Sequence, residues 1–291
     1  GPSTPPAEPL EEAGDAGSGT FSMGCGTGWT AYWMMNIFTP ATIFLETQIT
    51  PGLALEYFNG WRGDPCGGIG NASVECQAAT AQYLRVKSTF TLLGQAVAMV
   101  ATPIVGMLSD SFGRWPFLVI YIVFVVAGTF SVAAIYFAHA SYYWFLWNRV
   151  ATALMPCQVL FWGWIMDKTQ PGSRVAVFGL LLAVTDAEGF LCPLASVFLG
   201  DSQLVVLALA AGCGALFISA CLLPESLPPE NRRPLQSPLG VVRDCFTNYW
   251  GVCKSSALRP VLLVTIMGGG GQAALQRSFL IFMEERFGVA R

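Results

Sequence analysis

Four ionisable side chains stand where charge is costly. Glu46, Arg149, Asp186 and Glu188 fall inside stretches that are otherwise apolar over helical lengths. A charge at the centre of a bilayer costs on the order of 2.5–3.5 kcal/mol on insertion scales, so such residues face a cavity or a partner and become candidates for binding or moving something. With a rise of about 1.5 Å per residue, Glu46 is expected in the outer third of its segment and Arg149 in the outer third of another. A carboxylate and a guanidinium at one depth can pair. Glu46 is then the first candidate for a proton carrier and Arg149 the residue that tunes it; an ion pair that only locks a helix bundle is the alternative. Asp186 and Glu188 are two residues apart, about 200° around a helix, so they cannot both face one cavity. Asp186 shares a face with Gly189 and Pro193, which leaves Glu188 to line the cavity as the second candidate.

The elements that carry these residues are membrane spans. The chain is 54% hydrophobic and only 11% charged over 291 residues, against about 25% charged in soluble domains. One aqueous core cannot hide that much apolar surface, and lipid is the natural solvent. Seven segments are long and apolar enough to cross, roughly 29–56, 86–108, 116–138, 142–166, 175–198, 203–223 and 259–282. The Pro-, Gly- and acid-rich residues 1–27 bury too little to fold and predict a disordered tail. Residues 28–223 then form a six-helix bundle. The stretch 224–258, interrupted by Pro224, Pro228, Pro229, Pro234 and Pro238, reads as a linker, and 259–291 holds the opening helix of a second bundle.

Loop charge orients the chain. The connections near 109–115, 167–174 and 224–258 hold Arg114, Lys168, Arg174, Arg232, Arg233, Arg243 and Lys254, whereas those near 139–141 and 199–202 hold no Lys or Arg. The basic set belongs in the cytoplasm, and with it the amino terminus. The long polar loop 57–85 falls on the opposite side. It carries Asn71-Ala72-Ser73, an N-glycosylation acceptor, and Cys66 with Cys76, which could form a disulfide; both modifications belong outside the cytoplasm. No Lys or Arg precedes Arg62, so a basic secretory signal is absent from the residues given.

Between the second and third spans runs Gly106-Met107-Leu108-Ser109-Asp110-Ser111-Phe112-Gly113-Arg114-Trp115-Pro116. It matches the G-x-L-x-D-x-x-G-R-x-P signature loop, and the chain resembles the major facilitator superfamily over roughly residues 29–291. Gly106 and Gly113 are expected to allow a tight turn at the bilayer surface, and Asp110 and Arg114 to form a charge pair or cap helix ends, latching one cytoplasmic conformation. Arg149 with Asp167-Lys168-Thr169 resembles the R…D-x-T pattern of the tetracycline-resistance-type drug:proton antiporters, and Phe44-Leu45-Glu46 an acidic position in their first span. Pro193 and Ser196, with Cys192 where Gly is usual, resemble a degraded antiporter G-P-x-x-G element. The stretch 201–233, with Pro224-Glu225-Ser226, resembles the hippocampus-abundant-transcript-like branch.

The resemblance implies an all-α membrane protein with roughly seven of twelve spans present. It also implies secondary active transport of a small solute by alternating access, coupled to protons, with no cofactor, no metal and no nucleic acid. Such a protein would be a multi-pass glycoprotein of the plasma membrane or an endomembrane. The alternative is a transporter-like protein acting in trafficking or sorting, for which loss of the buried charges would be the mark; they remain. A seven-helix receptor would begin outside the cell. No nucleophile–base arrangement, phosphate loop or zinc motif suggests an enzyme. Gly94, Ala98, Thr102 and Gly106 form a small-residue stripe suited to helix packing. Gly268 to Gly271 would loosen the seventh span.

Overall fold

The computed structural model describes residues 27–62 and 74–232 and scattered positions from 234 to 255. The expected tail, Asn71, Cys66, Gly268 to Gly271 and the expected span 259–282 lie outside the described residues. Among the described residues there are seven α-helices and no strand. They are α1 (Thr27–Phe58), α2 (Val74–Phe112), α3 (Trp115–Ala138), α4 (Tyr142–Thr152), α5 (Cys157–Lys168), α6 (Arg174–Phe198) and α7 (Asp201–Cys221). Four helical stretches, Val74–Phe112, Trp115–Ala138, Pro171–Phe198 and Asp201–Cys221, are each long and apolar enough to cross a membrane. α1, of 32 residues, and the pair α4 and α5 are not among these four stretches.

Two sequence expectations are corrected. The fourth span is not continuous: residues 153–156 break it into α4 and α5. Pro156 causes the break, because its ring excludes the helical hydrogen bond and disfavours helix in the residue before it. The freed backbone tightens locally, with Leu154 N bonded to Ala151 O at 3.1 Å and Met155 N to Thr152 O at 3.0 Å. The polar loop is also shorter than 57–85. α2 begins at Val74, and its 39 residues are more than a crossing of the hydrocarbon core requires.

α1 is the hub, packed against α7, α6, α3 and α2, while α7 also packs along α3. Its inner face alternates apolar and polar residues, with Tyr32, Met35, Asn36, Thr39, Thr42, Leu45, Glu46 and Ile49 all buried. Two apolar clusters stack along the bundle. One, at the end nearer the α2–α3 turn, centres on Tyr32, Met35, Leu118, Ile122, Leu160 and Trp164. There Tyr32 and Trp164 stack with ring centroids 4.3 Å apart. The other, at the opposite end, centres on Leu45, Ile49, Val132, Phe145, Leu204 and Val205. The buried polar side chains of Thr42, Glu46 and Thr129 fall at the seam between them. α2 and α6 leave large apolar side chains uncovered by the other described residues, among them Leu92, Met99, Phe190 and Phe198.

Candidate functional site

At the seam, Arg149 Nη2 meets Glu46 Oε2 at 3.0 Å. The position of each follows from its helix. Glu46 sits in the polar stripe of α1 that turns toward the bundle axis, and Arg149 lies on the last turn of α4, just before the Pro156 break. Thr129 of α3 donates its hydroxyl to Glu46 Oε1. Gly128 beside it makes room for Asn148, because a Cβ there would stand 2.8 Å from Asn148 Oδ1. The pair is asymmetric: the Glu46 side chain is 2% exposed and that of Arg149 is 34% exposed. A carboxylate so enclosed is tolerable only while paired and hydrogen-bonded.

Arg149 is exposed because it forms one wall of a cavity of about 320 Å³ between α1, α2 and α4. Its guanidinium carbon lies 5.0 Å from the centre of the Phe145 ring, within reach of a cation–π contact. Thr47 and Thr50 face the cavity from α1, and Lys87 and Gln95 from α2. Lys87 Nζ donates to the Tyr83 hydroxyl at 2.9 Å. Glu46 stands behind Arg149 and is not part of the wall.

Of the other intramembrane candidates, Glu188 is 8% exposed on α6, and neither of its carboxylate oxygens has a hydrogen-bond partner among the described residues. It lines no part of that cavity. Asp186 is exposed, and Pro193 lies inside α6, where its carbonyl accepts from Ser196 Oγ at 2.6 Å.

A second charged cluster closes the far end of the bundle. Arg114 Nε meets Asp167 Oδ2 at 2.7 Å, and Arg114 Nη2 meets Asp110 Oδ1 at 3.1 Å. Asp167 also accepts from Ser226 Oγ at 2.8 Å. Glu225, just past α7, receives four backbone N–H groups: Arg114 at 3.0 Å and Trp115 at 3.3 Å, then Ser226 at 2.8 Å and Leu227 at 3.0 Å. It therefore supplies the negative charge that the start of α3 attracts. Gly113 takes a φ of 103°, and a Cβ there would collide with Glu225 Oε2 at 2.2 Å, so both conformation and space require glycine. Gly106 is not part of the turn, a further correction. It lies within α2, where a Cβ would touch Val159 of α5 at 3.7 Å. Gly163 matters instead: a Cβ on it would overlap Arg114 Nη1 at 1.6 Å, so the guanidinium lies across bare α5 backbone.

Sequence reasoning missed Thr129, Lys87, Gly163 and the capping role of Glu225. Thr129 carried a signal, as a hydroxyl in a nearly unbroken apolar span; Gly163 carried none. Cys76, at the opposite end from Arg114, is disulfide-bonded. Among the described residues no group of three His, Cys, Asp or Glu side chains converges as a metal site would require.

No family model matches the chain. In sequence it is similar to major facilitator superfamily domain-containing protein 10 of Bos taurus, 31% identical over 173 residues that cover 54% of this chain and 36% of that protein. It is also similar to the hippocampus abundant transcript 1 proteins of Mus musculus and Homo sapiens, 25% identical over 197 residues, covering 65% of this chain and 39% of each relative. The chain thus spans 36% to 39% of the length of these curated relatives. In structure it resembles the human organic anion transporter MFSD10 (TETRAN), with a TM-score of 0.64 and 20% identity, covering 91% of this chain and 66% of that one.

Proposed function

Since this chain is a major facilitator superfamily protein, we propose that it acts in secondary active transport of a small solute, with Glu46 carrying the coupled proton. The observation that supports this most is the Glu46–Arg149 pair at the seam. One partner is sealed among helices and the other opens on a cavity, so an event in the cavity reaches the carboxylate through a single guanidinium. A lock with no further role has no need of that asymmetry.

Alternating access assigns the second cluster its part. Asp110, Arg114, Asp167, Glu225 and Ser226 tie the α2–α3 turn, α5 and the end of α7 into one unit at the basic end of the bundle. As a rigid cap on one bundle, it lets helices rock as a body around the midplane site. That end carries Arg114, Lys168, Arg174 and Arg232 and lies beside the start of α1, where Gly28 packs on Pro224; the excess of basic residues there supports a cytoplasmic amino terminus. The opposite end, with Cys76 in its disulfide, then faces an oxidising space, with Cys66 as the partner and Asn71 as a glycan acceptor.

The test is solute uptake into proteoliposomes under an imposed pH gradient. The Glu46→Gln variant is expected to keep solute binding and exchange but to lose the gradient-driven component. Gradient-driven uptake at the wild-type level would remove Glu46 from the coupling step.

A further inference from the structure

Thr129 has one hydrogen to give and two acceptors within reach. Its Oγ1 stands at hydrogen-bond distance from Glu46 Oε1 across the seam and from Val125 O, 3.2 Å away on its own helix. A hydroxyl carries a single proton and can accept as well as donate, so it donates to one of these oxygens at a time. Bonding back to the carbonyl four residues earlier is ordinary for a hydroxyl in a helix, and Thr42 and Ser131 spend their hydrogen in that way. Thr129 differs in having a carboxylate on the other side of its oxygen. It is 1% exposed and the Glu46 side chain 2%, so each must find its partners within the protein.

From this arrangement we infer that Thr129 is a positioning residue for the coupled proton, exchanging the roles of donor and acceptor when Glu46 changes charge. The inference rests on the reading of Glu46 as the proton carrier and names the residue that lets it carry. With Glu46 ionised, Thr129 donates to Oε1 and Arg149 Nη2 donates to Oε2. That leaves Oε1 as the oxygen that takes a proton arriving from water. The new O–H donates to Thr129 Oγ1, and the hydroxyl hydrogen of Thr129 turns about its C–O bond to Val125 O. On release the proton returns to water and the hydroxyl turns again to Oε1. One O–H bond forms on loading and breaks on release, and no heavy atom has to move. Neither charge state strands a buried polar group, as a carrier with two accessible states requires. Among the described residues, Arg149 is the one charged side chain bonded to Glu46. α3 carries no charged residue and α7 none past Asp201. Lys87 of α2 bonds to Tyr83, and Glu188 of α6 makes no hydrogen bond to the seam. The competing account is a threonine that braces the ionised carboxylate and has no part in the neutral state.

Infrared difference spectra of the purified protein between neutral and acid pH separate these accounts on the carboxyl itself. The wild type is expected to show a protonated-carboxyl C=O band, absent from Glu46→Gln, at the frequency of a hydrogen-bonded acid. Thr129→Val, which nearly keeps the shape and removes the hydroxyl, should move that band to higher frequency, and Thr129→Ser should return it. A wild-type Glu46 band at the frequency of a free acid overturns the role of Thr129 without recourse to any variant. A band that Thr129→Val leaves in place overturns it as well, and in both cases Glu46 still takes the proton. Absence of any Glu46 band at acid pH overturns the role of Thr129 and the proton carrier together. The expected bands, joined to wild-type gradient-driven uptake by Glu46→Gln, keep the role of Thr129 and sink the coupling.

Discussion

The protein uses the arginine–carboxylate pair twice, and the two uses differ in how many partners hold each charge. At the seam, among the described residues, Glu46 has one guanidinium and one hydroxyl, and Arg149 has no second acid. At the basic end, Arg114 bridges two carboxylates, Asp167 gains a serine, and Glu225 gathers four backbone N–H groups from two segments. Losing one bond there still leaves Arg114, Asp167 and Glu225 each with another partner. Losing the one ion pair at the seam leaves a nearly sealed carboxylate with a lone hydroxyl. A switch needs two states of similar free energy, and a sparsely held pair provides that more readily than a network. On the proposed transport reading, the seam is the part that changes and the far end the part that stays fixed.

The largest effect should come from stranding the seam carboxylate. Arg149→Ala is expected to destabilise the protein by about 3 kcal/mol, the lower end for breaking a buried pair because Arg149 is partly open to the cavity. Adding Glu46→Gln to it should recover most of that loss, read as the thermal unfolding midpoint in detergent. Equal loss in single and double variants would mean the pair is not what stabilises the seam. Next in size is Gly163→Ala, whose methyl must push Arg114 off α5. A loss of about 1–3 kcal/mol is expected, as for overpacking, with solute binding by the folded fraction unchanged. The smallest is Glu225→Gln. It keeps an acceptor for Arg114, Ser226 and Leu227 but loses the one for Trp115 N–H together with the charge at the start of α3, and the charge contributes about 0.3–1 kcal/mol that fades as salt is raised. If Glu225→Gln cost more than Arg149→Ala, the ranking of the two regions would be inverted.

The sequence alone determined that the helices are solvated by lipid. Apolar runs of spanning length with few charges admit little else, and the two kinds of loop distinguish the two ends of the bundle by composition. A count of depth along the first and fourth spans put Glu46 and Arg149 at one level, and the structure joins them at 3.0 Å. The signature loop likewise brought Asp110 and Arg114 forward. What only the tertiary structure decided is which groups complete each charge. Thr129, Ser226 and Glu225 are ordinary residues until α3 and α7 pack beside α1 and α5, and Gly163 reads as filler until Arg114 lies across it. The break at Pro156 belongs with these: proline permits a kink but does not dictate whether the helix bends or divides. Glu188 marks the boundary from the other side, since helical angle assigned it a cavity and packing enclosed it with no hydrogen-bond partner among the described residues. The reason is the same in each case. Period and depth are properties of one helix and can be counted along the chain, whereas pairing, enclosure and the space for a side chain exist only between helices.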